Sequence, residues 1–193
     1  IGMLGQAGVI ATVADRLAHW QAARIVLDPV MVAKSGDALL EKSAVGALRE
    51  ALLPLASVIT PNLPEAGVLL EGRAPETRKE MERAAERLRA AMAHDGERWV
   101  LLKGGHLTSG DAVDLLHDGD RMIELSGPRI DTKNTHGTGC ALSAALAALL
   151  PQSADVPTAA RRAKEWLSAA IRQSGRLSVG SGHGPVHHFH EWW

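Results

Sequence analysis

Three short apolar runs constrain this chain more than any other feature. They are Arg24-Ile25-Val26-Leu27-Asp28-Pro29, Ser57-Val58-Ile59-Thr60-Pro61-Asn62 and Trp99-Val100-Leu101-Leu102-Lys103. Each holds consecutive hydrophobic residues with no polar alternation. A run of this length, apolar on both sides, suits a strand covered on both faces, as in a parallel sheet between layers of helix. The intervening segments read as helices. Ile10, Val13, Leu17 and Trp20 recur every three or four residues, and residues 43–53 continue the helical pattern. Met81, Ala85, Leu88 and Met92 form another stripe, opposite a charged face of Lys79, Glu82, Arg83, Glu86 and Arg89. That face is most simply a solvated one. Residues 112–117 and 121–125 flank Asp118-Gly119-Asp120, which predicts an antiparallel hairpin near a sheet edge. Residues 137–150 and 158–173 complete the pattern as two more helices. The expected fold class is α/β.

Length and charge narrow the options. A chain of 193 residues suits one domain with a sizeable core. No repeat, linker or low-complexity tract divides it, so residues 1–193 read as a single domain. A formal net charge of -1 gives no bulk attraction to nucleic acid or an anionic membrane. The Ala/Leu-rich run from Ala141 to Leu150 is too short to span a bilayer. The single cysteine, Cys140, rules out an internal disulfide and fits a reducing cytosol. No secretory signal opens the sequence. The chain starts at Ile1 and runs straight into Gly2-Met3-Leu4-Gly5, which reads as a domain whose N-terminal part is missing.

Ligands of open α/β sheets bind beyond the carboxyl ends of the strands. Here Asp28 ends the first run, Asn62 and Glu65 follow the second, and Lys103-Gly104-Gly105-His106 closes the third. Singly, each has a plain structural reading: Asp28 as a turn former, Glu65 as an acid at a helix start, Lys103 as a strand-end lysine reaching solvent. Their placement at one edge favours a site. The sharpest local signal is Asn134-Thr135-His136-Gly137-Thr138-Gly139-Cys140, leading into an Ala/Leu helix. Glycines before a helix start permit tight backbone geometry, and free amides of the first turn converge on an anion. Such a turn can stabilise a phosphoryl group in transfer. A lone cysteine beside alanines is usually core, but Cys140 follows Gly-Thr-Gly, where the helix dipole favours a thiolate. The pattern is neither a Walker A loop nor a dinucleotide fingerprint. His183, His187, His188 and His190 crowd near the C-terminus without a zinc spacing, so a glycine-rich strand or loop closing the fold is the favoured reading.

Taken in order, Ile1-Gly2-Met3-Leu4, the Leu27–Gly36 segment, Ile59–Glu65, Lys103–His106, Asn134–Cys140 and Gly182–Trp193 resemble the hydroxymethylpyrimidine/phosphomethylpyrimidine kinases of the ribokinase-like superfamily. The resemblance spans nearly the whole chain. It implies a three-layer sandwich, with a mostly parallel central sheet, helices on both faces and an antiparallel hairpin near one edge. It also implies ATP, Mg2+ and a small pyrimidine substrate, in a cytoplasmic enzyme for which a homodimer is compatible. By the same resemblance Gly137, Gly139 and Cys140 form the anion-hole turn and act in catalysis with Lys103. Met3 and Val30 match positions lining the pyrimidine pocket. Lys103, Lys164 and Asn62 match the nucleotide side, and Glu65 with Asp28 the magnesium side, partly through water. Many relatives carry an aspartate base where this sequence has Cys140. The family's N-terminal portion, with its first strand, Gly-rich turn and a polar pocket residue, has no counterpart here. A pyridoxal kinase on the same fold and an inactive ligand-binding fragment stand as alternatives.

Overall fold

A computed structural model describes residues 1–31, 39–93, 95–105, 107 and 112–193. The Val32–Gly36 part of the Leu27–Gly36 segment, and His106, lie outside them. The three apolar runs form β1 (Val26–Leu27), β2 (Val58–Ile59) and β3 (Trp99–Leu102), paired in parallel. The predicted hairpin is β4 (Asp114–His117) with β5 (Met122–Leu125), antiparallel to each other and to β3. Strand order is β1-β2-β3-β4-β5, so the described sheet is parallel on one side and antiparallel on the other. Ile1 runs beside β1: its amino group donates to the Val26 carbonyl, and its carbonyl accepts from the Asp28 amide, both at 2.8 Å.

Alternation along the strands divides the interior in two. Leu27, Ile59, Val100, Leu102 and Leu115 face a core shared with α1 (Ala7–His19), α3 (Leu63–Leu69) and α4 (Arg78–Ala91). Val26, Val58, Trp99, Leu101, Leu116 and Leu125 face a second core made by α5 (Thr138–Leu149) and α6 (Val156–Arg172). Helices therefore cover both faces, as continuous apolar strands require.

Three of the six described α-helices begin where their sequence supplies a side-chain cap. Asn62 and Glu65 form a reciprocal capping box at α3, Thr77 and Glu80 another at α4, and Asp155 accepts the Thr158 amide at α6. Two local expectations change. Residues 43–53 are not one regular helix: α2 (Lys42–Ala47) gives way to a π-turn at Leu48–Leu52 and a 3-10 turn at Leu53–Leu55. Pro54 explains the tightening at the end, because it lacks an amide proton and its ring clashes with the carbonyl four residues back. Trp20 drops out of the α1 stripe, since the helix ends at His19 and leaves the indole exposed. The histidine segment wraps over α6. The His187 amide donates to the Ala170 carbonyl at 3.0 Å, and the His188 and His190 rings lie about 6 Å from Trp166. An isolated bridge joins His136 to Pro185 in this closing segment.

Candidate active site

Parallel register brings three polar residues level at the carboxyl ends of β1, β2 and β3. The Thr60 amide donates to the Leu27 carbonyl at 2.9 Å, and the Lys103 amide to the Pro61 carbonyl at 2.9 Å. Asp28, Thr60 and Lys103 are thereby held side by side, although up to 75 residues separate them. The Lys103 ammonium donates to Asp28 Oδ1 at 3.0 Å, and the Thr60 hydroxyl donates to the same oxygen at 3.0 Å. Asp28 is 2% exposed and Thr60 wholly buried, so the pair works away from bulk solvent. Lysine has three donors. Asp28 takes one, leaving the ammonium able to meet an incoming anion.

The first turn of α5 lies directly over this pair. Gly137 caps the helix in a left-handed conformation (φ 78°), which a side chain would resist, and no side chain caps the turn. Intrahelical bonding starts with the Ala141 amide donating to the Gly137 carbonyl at 2.8 Å. The amides of Thr138, Gly139 and Cys140 come before it, among the orphan donors every helix start possesses. A side-chain carbon on Gly139 would lie 3.3 Å from Lys103 Nζ and 3.7 Å from Asp28 Oδ2. Glycine there lets the ammonium approach the helix terminus. Positive dipole, free amides and a fixed ammonium thus converge on one spot, an arrangement suited to phosphate. Cys140, a free and exposed thiol, stands in the same turn. An open groove of about 860 Å³ leads from Gly137 and Cys140 along α5 and α6 past Ala144 to Trp166 and His188. Asp28 and Lys103 do not line it.

Asn62 and Glu65 close the site on the α3 side. Glu65 Oε2 accepts the Asn62 amide at 2.7 Å, and Asn62 Oδ1 accepts the Glu65 amide at 2.8 Å. Burial pushes the Glu65 carboxyl above its usual range near 4.5 and Asp28 adds to the rise, against Lys103 and the Asn62 and Met31 amides. Both residues are thus helix-start groups, and they sit against the lysine–aspartate pair. Val30 is half-buried two residues beyond Asp28, its amide donating to the Asp28 carbonyl at 2.8 Å. Met3 is 59% exposed, two residues past the Ile1 pairing on the edge of β1. Lys164 stands elsewhere. Its ammonium donates to Asp114 Oδ2 at 2.7 Å and to the Ala112 carbonyl at 2.8 Å. Asp114 Oδ1 in turn accepts the Gly104 amide at 2.9 Å, so Lys164 reaches the Lys103-Gly104 turn through Asp114. Thr60 and Asp114 were not singled out from sequence. A polar residue at the last position of a buried strand was the available signal for Thr60. Nothing local marks Asp114.

Among the described residues, no group of three or more His, Cys, Asp or Glu could hold a metal ion. No helix among them is long and apolar enough to cross a membrane.

The chain matches the phosphomethylpyrimidine kinase family over residues 1–187. It is 51% identical to the hydroxymethylpyrimidine/phosphomethylpyrimidine kinase of Salmonella typhimurium, a match covering all of this chain and 71% of that protein. Among solved structures it resembles an ADP complex of Bacillus subtilis pyridoxal kinase (TM-score 0.83, 36% identity, 96% of this chain and 66% of that one). It also resembles the phosphomethylpyrimidine kinase of Clostridium difficile (TM-score 0.73, 31% identity, 89% of this chain and 67% of that one). The chain therefore spans roughly two thirds of the length of these three proteins.

Proposed function

The chain belongs to the phosphomethylpyrimidine kinase family, and from that premise we propose that it carries the phosphate-handling part of an ATP-dependent kinase acting on 4-amino-5-hydroxymethyl-2-methylpyrimidine and then on its monophosphate, in thiamin biosynthesis. The observation that carries the reading is the Lys103 ammonium, fixed by Asp28 beneath the uncapped first turn of α5.

In the first transfer the hydroxymethyl oxygen attacks the γ-phosphorus of ATP and the bond from that phosphorus to the β-bridging oxygen breaks, releasing ADP. Cys140, acting as the thiolate, accepts the alcohol proton on Sγ and becomes the thiol. Amides of Gly139 and its neighbours in the turn, with the Lys103 ammonium, hold the charge spread over the equatorial oxygens. In the second transfer a phosphate oxygen attacks and needs little help from a base. Val30 and Met3 belong to the pyrimidine side of this reading, Lys103 and Asn62 to the nucleotide side. Lys164 serves the nucleotide side through the turn at Gly104. Glu65 and Asp28 fit a magnesium ion held partly through water, because that ion favours one or two carboxylates together with substrate phosphates. Bound there, the ion would neutralise phosphate charge. A cytoplasmic setting and a homodimer belong to the same reading.

A pyridoxal kinase is the second reading, favoured by the likeness to the Bacillus subtilis enzyme. Rates with hydroxymethylpyrimidine and pyridoxal, measured side by side with ATP, separate the two. Pyrimidine diphosphate as product supports the first. Pyridoxal phosphate alone would transfer the assignment to the second.

A further inference from the structure

Thr60 is a buried polar side chain at the strand ends to which the mechanism above gives no part. It is wholly buried, and its backbone is fixed by the bond from its amide to the Leu27 carbonyl. Its hydroxyl and the Lys103 ammonium both donate to Asp28 Oδ1, each at 3.0 Å. Asp28 Oδ2 is the oxygen 3.7 Å from where a side chain on Gly139 would begin. The last torsion of an aspartate is soft, and a lysine ammonium ends a chain of rotatable bonds. An ion pair between two such groups can swing as a unit. Threonine is stiff at its first torsion, so its hydroxyl is a fixed point that neither partner supplies.

We propose that Thr60 is a positioning residue: it sets the rotation of the Asp28 carboxylate and, through it, the place of the Lys103 ammonium under the α5 turn. The catalytic consequence rests on the phosphoryl-transfer reading; the positioning itself does not. Were Thr60 only satisfying its own buried hydroxyl, losing that hydroxyl would leave Lys103 where it is.

The test compares Thr60→Val, which keeps the shape and lacks the donor, with Thr60→Ser, which keeps the donor. Thr60→Ala serves in place of Thr60→Val should that variant not fold. The first readout is the mobility of the Lys103 ammonium by 15N relaxation in the protein without substrates. It is expected to rise in Thr60→Val and return towards wild type in Thr60→Ser. The second is steady-state kinetics. Losing one hydrogen bond to a charged group is expected to lower kcat about tenfold, with KM for the alcohol within about twofold and kcat largely recovered in Thr60→Ser. Unchanged Lys103 mobility in Thr60→Val overturns the proposal whatever the rates. A looser Lys103 with full kcat overturns the catalytic consequence and upholds the positioning. If wild-type protein transfers no phosphoryl group, the functional reading fails, and the relaxation measurement still decides the positioning.

Discussion

Replacing Gly139 by alanine should separate stability from activity. Gly139 lies in the first turn of α5 without a left-handed φ, so its backbone accepts alanine. Alanine in a helix is favoured over glycine by up to about 1 kcal/mol, which for a domain of this size corresponds to roughly 2–4 °C in Tm. The added carbon would lie 3.3 Å from Lys103 Nζ, inside the roughly 3.5–4.0 Å of a comfortable contact. The ammonium is the softer partner, because the helix backbone is held by its own bonds. It must retreat by a few tenths of an ångström, stretching or turning the bond to Asp28. A misplacement of about 1 Å at a reacting centre can cost about 100-fold in rate, so a shift of part of that should cost about tenfold in kcat. Thermal unfolding and ATP-dependent turnover of the variant, measured in one buffer, check both halves. Turnover within about twofold of wild type would show that the ammonium does not act where it stands. A stability loss above about 2 kcal/mol would show that the contact cannot be relieved by the side chain.

Cys140→Ala should slow phosphorylation of the alcohol far more than that of the monophosphate, checked by following the two products separately; equal losses count against a base role. Glu65→Gln keeps an acceptor for the Asn62 amide while removing a buried charge. Because burial raises the Glu65 pKa on folding, its stabilising contribution is full below about pH 4.5, the unfolded value, and is lost as pH rises through the folded pKa. The variant's Tm should therefore gain on wild type as pH rises above that point, and parallel Tm–pH curves would refute this. Gly104→Ala would place its side-chain carbon 2.0 Å from the Val113 carbonyl oxygen, a clash with fixed backbone, and should cost about 3 kcal/mol or more in denaturant unfolding. Thr77→Ala breaks the α4 capping box and should cost about 1 kcal/mol by the same assay, leaving turnover intact.

Much of this arrangement was legible in the sequence because its physics is local. Continuous apolar runs gave β1, β2 and β3, and the Asp-Gly-Asp turn gave the β4–β5 hairpin. The three- and four-residue spacing gave α1 and α4, and Gly137-Thr138-Gly139-Cys140 marked the start of α5. Asp28, Glu65 and Lys103 were legible as strand-end groups, and the structure brings them together. What escaped depends on distant residues. The Lys164–Asp114 pair joins α6 to β4 across 50 positions, and no spacing rule reports such a contact. Thr60 read as the end of a strand, because a hydroxyl acquires its meaning only from the carboxylate opposite. The break-up of residues 43–53 turned on Pro54, whose effect reaches back one helical turn.

The two-sided burial of the strands has a consequence for folding. When one face of a strand is wet, a slip of one residue exposes its apolar side, and that cost enforces alignment. Here every residue of β1, β2 and β3 is buried, so hydrophobicity alone barely distinguishes one alignment from the next. The polar ends do. A slipped β3 would carry the Lys103 ammonium away from Asp28 and leave a charge desolvated without its partner, a penalty of about 3–5 kcal/mol. The groups proposed to handle phosphate thus also proofread the sheet, and a chain that mispairs its strands forfeits its candidate active site in the same step.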